Sequence, residues 1–166
     1  CIFTSTVLGL ELGMFYKKRN YTIIVDGRNP IEAHEYLGNS VEGKDIIIID
    51  DMISSGDSVI DVAKRLKERK AGRIFVFVSF GLFCNGLKKF DRAYKDGIID
   101  QIFTTNLIYR TPELRERPWY TEVNMCKYVA LMIATLHVDC SISKLLNPVD
   151  RINELIEKKL DENGML

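Results

Sequence analysis

Residues 45–50 (DIIIID) constrain the fold of this chain more than any other segment. A short, unbroken apolar run between polar ends reads as a strand with both faces covered. Strands of that kind belong to parallel sheets carrying helices on each side. The next residues agree. MISSGDS is a run of small and polar residues, and after it Val59, Val62, Ala63 and Leu66 recur at helical spacing. Asp61, Lys64, Arg65, Lys67 and Glu68 lie on the opposite side of that helix. Ser55, Asp57 or Ser58 can each cap it. Gly72 closes it, and residues 73–80 (RIFVFVSF) form a second buried strand. Residues 84–94 read as a helix and 101–105 as a third strand. This alternation predicts an α/β fold: a doubly wound, mostly parallel sheet flanked by helices.

The flanking segments are less regular. Residues 1–12 read as a short helix or the tail of one. Residues 14–16 are apolar, with Lys17, Lys18 and Arg19 behind them. Residues 20–30 (NYTIIVDGRNP) read as a mobile loop or a ribbon, with a strand near 35–37. Residues 109–120, interrupted by Pro112 and Pro118, read as a surface excursion in which Trp119 and Tyr120 are packing anchors. Helices are expected over 124–136, 141–146 and 148–160.

Composition excludes several classes. The chain of 166 residues carries 23 Lys+Arg and 23 Asp+Glu, so it has no surplus of positive charge for a nucleic-acid backbone. No apolar run approaches the roughly 18 residues that span a bilayer. At 46% hydrophobic it is too apolar for disorder. Cys1, Cys84, Cys126 and Cys140 are widely and irregularly spaced. They read as reduced, mostly buried thiols of a cytoplasmic protein, with no disulfide framework and no zinc site. His34 and His137 are isolated and make no metal cluster. Asp91, Asp96 and Asp100 have no visible partner in the sequence. The chain starts at Cys1, without Met, and reads as a piece of a longer protein.

In an open α/β sheet, ligands bind outside the carboxyl ends of the strands. The segment immediately after residues 46–49 is therefore the candidate site. Asp50 and Asp51 end the strand, and Ser54, Ser55, Gly56, Asp57 and Ser58 lead into the helix. The first N–H groups of a helix lack internal partners and the dipole is positive there, so a phosphate is stabilised at that point. Serine hydroxyls add donors, and Gly56 lets the backbone approach. Adjacent carboxylates accept hydrogen bonds from vicinal hydroxyls or help to hold a hydrated Mg²⁺. Phosphate at one end and a diol at the other describes a sugar phosphate. Acidic strand ends and Ser/Asp before a helix also serve as ordinary capping, so the pattern alone leaves both readings open. Asp57 stands against the ligand reading unless its carboxylate points away from the phosphate.

The run of apolar residues, DD, and a small-residue loop resembles the phosphoribosyl pyrophosphate-binding signature of the type I phosphoribosyltransferase fold. Within it, EGKDIIIIDDMISSGDSVIDVAKRLKERKAGRIFVFVSFGLF is similar to the ribose-phosphate pyrophosphokinase family. YKKRN stands where that family has a D-K-R-R-P catalytic loop, and SISKLL resembles its S-[IV]-S-x-L-F ending. The resemblance implies a phosphoribosyltransferase-like domain over 1–147, its N-terminal part truncated, with a helical extension over 148–166. It implies that Asp50 and Asp51 face the ribose hydroxyls and that Ser54, Ser55, Gly56, Asp57 and Ser58 wrap the 5′-phosphate of ribose 5-phosphate. It implies that Lys17 is the catalytic lysine and Arg19 its partner, acting on the diphosphoryl group of ATP. Mg²⁺ is the implied cofactor, with ligands upstream of Cys1 and on ATP, and the implied assembly is a homohexamer. The chain alone is then expected to bind the sugar phosphate without turnover. Two departures stand out: Ser54 replaces the family's loop Asp, and Asn20 comes after the basic trio where Pro is usual. A phosphoribosyltransferase consuming phosphoribosyl pyrophosphate, or a non-catalytic regulatory relative, shares the DD loop and remains an alternative.

Overall fold

The four isoleucines open β3 (Ile46–Ile53), which runs on through both aspartates. The computed structural model describes residues 2–19 and 31–162; the loop or ribbon expected over 20–30, and Cys1, lie outside them. Ahead of β3 come α1 (Ile2–Leu8), β1 (Met14–Arg19) and β2 (Ile31–Leu37). After it come α2 (Asp57–Glu68), β4 (Ile74–Gly81), α3 (Lys88–Lys95), β5 (Gln101–Thr105), α4 (Pro112–Arg115) and β6 (Tyr120–Val123). The chain ends in α5 (Cys126–His137), α6 (Ser143–Leu146) and α7 (Val149–Glu162). β3, β4, β5 and β6 form a parallel sheet in that order, and β1 and β2 form a separate antiparallel ribbon. The fold is thus the expected α/β class, a parallel sheet with helices packed on it.

Strand alternation divides this sheet into two faces. Register places Ile46 and Ile48 beside Ile74 and Val76, and Val76 beside Ile102. This face carries the core. From α2 come Val59, Ala63 and Leu66, spaced four and three apart, and from α3 come Phe90 and Ala93. Phe83, Phe90, Trp119 and Tyr120 close one end as an aromatic cluster, with the Phe83 and Phe90 rings edge to face at 5.0 Å. Trp119 is the anchor expected, 1% exposed, and its Nε1–H donates to Asp91 Oδ1 at 2.8 Å.

Four expectations are corrected. Residues 109–120 are not only a surface excursion: Leu114 is buried and Tyr120 opens β6, a fourth parallel strand. Four residues after a proline are too few to display alternation in sequence. The second face of the sheet, expected to be covered, is only partly so among the described residues. Ile47 is 42% exposed, β3 lies at the edge, and α5 buries none of its residues. Cys84, Cys126 and Cys140 are exposed rather than buried, because a turn holds the first and the open helix α5 and its end hold the others. Asp91 and Asp100 do have partners. Asp91 binds Arg117 as well as Trp119, and Asp100 accepts the Ile74 N–H at 2.7 Å.

Candidate functional site

Asp50 and Asp51 lie within β3, so alternation sends their side chains to opposite faces. Asp50 pairs in register with Val78, on the face where α2 and α3 pack, and Asp51 shares a face with Ile47 and Ile49. Each carboxylate accepts the next backbone N–H: Asp51 N–H to Asp50 Oδ1 at 2.9 Å, Met52 N–H to Asp51 Oδ1 at 2.8 Å. Both side chains are otherwise open to solvent. Two carboxylates facing apart do not chelate one cation. Among the described residues no three His, Cys, Asp or Glu side chains converge on a metal position. The donor set therefore does not fit a resident Mg²⁺.

The chain turns sharply after β3. The Ile53 carbonyl accepts N–H bonds from Leu82 and Phe83 at 2.8 and 3.3 Å, and the Ser54 carbonyl accepts from Cys84 at 3.0 Å. The turn after β4 thus buttresses the start of the loop. Ser54 Oγ and Cys84 Sγ stand 3.6 Å apart. Gly56 then takes a left-handed conformation, φ 84°, and precedes the first residue of α2. A side chain is doubly excluded there. The backbone disfavours it, and a Cβ would lie 2.1 Å from Cζ of Phe90.

Ser55, Asp57 and Ser58 are the expected caps, but the N-cap is Gly56, which has no side chain to cap with, and of the three only Ser55 reaches a helix N–H, that of Asp57 at 3.4 Å. The side chains of Ser55 and Asp57 are also engaged with one another. Ser55 Oγ–H donates to Asp57 Oδ2 at 2.7 Å, and Lys89 Nζ donates to Asp57 Oδ1 at 2.5 Å. The Lys89 hydrogen bond, and then that of Ser55, hold the Asp57 carboxyl below the usual carboxylate range. Ser55 Oγ in turn accepts the Asp57 N–H at 3.4 Å, so the first N–H of α2 is partnered, while the carboxylate nearest the helix start is turned to a lysine. Backbone N–H groups in the first turn of a helix lack intrahelical partners and in general suit an anion.

Lys17 and Arg19 lie on the ribbon. Lys17 stands opposite His34 in register and Arg19 opposite Ile31, with an irregularity between Lys18 and Arg19. The base of the ribbon is fixed by Phe15 and Tyr36, whose rings are 5.2 Å apart, and by the Arg69 guanidinium 5.1 Å over Tyr36. Arg69 comes after the last residue of α2, at the far end of the helix from Gly56. The structure therefore brings Asp50 and the 54–58 loop together, and roots the ribbon at the other end of α2. The sequence did not point to Lys89, Phe90 or Cys84, which reach the loop from α3 and the turn before it. Their only signal is tertiary, since Lys89 and Asp57 are 32 residues apart.

A parallel strand carrying two aspartates near its carboxyl end, a serine loop hinged at Gly56 and a helix start beyond it make this an α/β domain of the phosphoribosyltransferase-like class. The chain belongs to the phosphoribosyl synthetase-associated domain family, which it matches over residues 23–147. It is similar to the ribose-phosphate pyrophosphokinase of Vibrio cholerae, with 31% identity over 128 residues, 75% of this chain and 40% of the relative. It is similar also to that of Mycoplasma pneumoniae, with 33% identity over 132 residues, 74% of this chain and 38% of the relative. This chain thus spans about 40% of the length of these relatives. The crystal structure of phosphoribosylpyrophosphate synthetase from Mycobacterium smegmatis shares the fold. The TM-score is 0.57 at 20% identity, covering 66% of this chain and 35% of that one. No helix among the described residues is long and apolar enough to cross a membrane.

Proposed function

We propose that this chain carries the ribose 5-phosphate site of a ribose-phosphate pyrophosphokinase. The observation that carries the reading is the glycine-capped start of α2, set one short loop after a strand that carries Asp50 and Asp51 near its carboxyl end. The 5′-phosphate sits on the first N–H groups of α2, with the hydroxyls of Ser54, Ser55 and Ser58 and the backbone of Gly56 and Asp57 around it. Asp50, on the α2 side of β3, accepts hydrogen bonds from the vicinal hydroxyls, and Asp51 adds its charge from the other side. ATP donates its diphosphoryl group to the 1-hydroxyl, giving phosphoribosyl pyrophosphate and AMP. Lys17 and Arg19 neutralise the transferring phosphoryl groups, because such a reaction is served mainly by positioning and charge compensation. Mg²⁺ would be held by the nucleotide phosphates, where it would offset their charge. Residues 1–147 form the sugar-phosphate domain and 148–166 an extension, within a cytoplasmic homo-oligomer. The test is calorimetric titration of the 166-residue chain with ribose 5-phosphate beside Asp50→Ala. Binding weakened about tenfold or more by the substitution is expected, the loss of a charge-assisted hydrogen bond. A folded chain that does not bind sinks the reading.

A second reading has one observation behind it. The ribbon that carries Lys17 and Arg19 is rooted at the end of α2 remote from the loop, which suits a sugar-phosphate-binding relative without catalysis. Lys17→Ala in the longer protein separates the two. Lost turnover with intact sugar binding supports the enzyme, and sugar binding without turnover in both the wild type and the variant supports the binding module.

A further inference from the structure

We infer that Lys89, on α3, is a positioning residue for the phosphate loop: it neutralises Asp57 so that an anion can settle at the start of α2. The inference rests on the sugar-phosphate reading of this site. Asp57 poses the problem, since it is the first residue of α2 and its side chain is 72% exposed. A bare carboxylate there repels the ligand that the helix start attracts. The geometry supplies the remedy. One carboxylate oxygen is held by Lys89 at 2.5 Å and the other by Ser55 at 2.7 Å. Lys89 is only 28% exposed, so its stem is packed and its ammonium is aimed rather than free in solvent.

The next residue of α3 acts on the adjacent residue of the loop. Phe90 occupies the space that a side chain at Gly56 would need, which fixes the left-handed turn. Two successive residues of α3 therefore set two successive residues of the loop, one by contact and one by charge. Lys64, Lys88 and Arg92 line the same cleft of about 510 Å³ between α2 and α3, and the hydrogen bond to Asp57 comes from Lys89. A second consequence concerns Ser55. Its one hydroxyl hydrogen is given to Asp57. With Lys89 holding the other oxygen, Ser55 can turn that hydrogen to a phosphate without leaving the carboxylate unpartnered. Asp57 is an exposed carboxyl and is ionised at neutral pH, and the Lys89 bond and then the Ser55 bond lower its pKa further. The countercharge is therefore needed under ordinary conditions.

The test is a charge-rescue cycle on the 166-residue chain, with folding followed by circular dichroism and ribose 5-phosphate and inorganic phosphate as probes. Lys89→Gln is expected to weaken binding about tenfold at low salt, and less at high salt. Lys89→Arg is expected to stay within about threefold of the wild type, because the charge is kept. Asp57→Asn is expected to bind more tightly than the wild type. The pair Asp57→Asn with Lys89→Gln is expected to recover to within about threefold of the wild type. A lysine with a merely structural role is not rescued by deleting the charge it faces. Binding by Lys89→Gln equal to the wild type, or a double variant as weak as Lys89→Gln, overturns this inference and leaves the sugar-phosphate site standing. A folded wild type that binds neither probe overturns the site and the inference together.

Discussion

The two faces of the four-stranded sheet are built from the same strands and reach different states. On one face Ile74 and Val76 are wholly buried under α2 and α3, and Ile102 is 1% exposed. On the other, Phe77 and Phe103 stack at 4.3 Å, nearly parallel, yet remain only half-buried, and Val123 is 39% exposed. Apolar content does not separate the faces; the local β–α–β connections do, because each helix returns to the same side. The candidate site hangs from the closed side. Asp50 points there, and Gly56 is seated on Phe90. A loop that must present backbone N–H groups to a ligand is best held by a face already packed, since interiors at crystal-like density resist displacement.

The largest expected effect arises from that seat. Phe90 is 2% exposed and touches Phe83, Trp119 and the Gly56 turn. Phe90→Ala leaves a cavity under the loop and is expected to cost about 3–5 kcal/mol in urea unfolding. Ribose 5-phosphate binding is expected to fall more than the lost stability explains, as the turn loosens. A cost under about 1 kcal/mol would break the distinction between the faces at its strongest point.

Legibility in the sequence divides along the same line. β3, α2, β4 and β5 were readable because their apolar residues recur at one period or run unbroken within a single segment. β1 and β2 were not read as a full ribbon, since Lys17, Lys18 and Arg19 and the segment EAHE look like loop or surface charge. The loop of the site was legible because Asp50 to Ser58 are contiguous. Its supports were not, because Lys89 and Phe90 meet it only after β4 has returned the chain. The capping expectation failed for a local reason. Ser55 and Asp57 have the right side chains, but the left-handed Gly56 between them turns them on each other. Trp119 was readable as an anchor, while its hydrogen bond to Asp91, 28 residues away, was not.

An intermediate effect is expected on the open face. Phe77→Ala removes one ring of the stack with Phe103 where burial is partial. The expected cost is about 1–2 kcal/mol, less than half that at Phe90, because a ring already in part-contact with water loses less transfer energy. A double-mutant cycle with Phe103→Ala is expected to give about 0.5–1.5 kcal/mol of coupling. A cost equal to that of Phe90→Ala would show that the open face is covered in solution. Its dependence on protein concentration would then tell whether a second copy covers it.

The smallest effect sharpens the comparison at the rim of the open face. The Arg73 guanidinium lies 5.4 Å over the ring of Phe75, and Asp45 holds it there. Asp45 Oδ2 accepts from Arg73 Nη2 at 2.5 Å and Nε at 3.1 Å, and Oδ1 accepts the Arg73 backbone N–H at 2.9 Å. The side-chain bonds to Arg73, then the backbone bond, hold the Asp45 carboxyl below its ordinary value of 3.8. A carboxyl with a depressed folded pKa stabilises the fold above its unfolded pKa, and loses that contribution as pH falls through the folded value. Wild type and Asp45→Asn are therefore expected to differ slightly in urea midpoint at about pH 6 and to converge as pH falls through the lowered folded value. The pair is exposed, so salt is expected to shrink the difference. A difference that stays constant across that range would mean that Asp45 acts through shape alone. The Arg73 plane over Phe75 would then be set by the strand and not by charge.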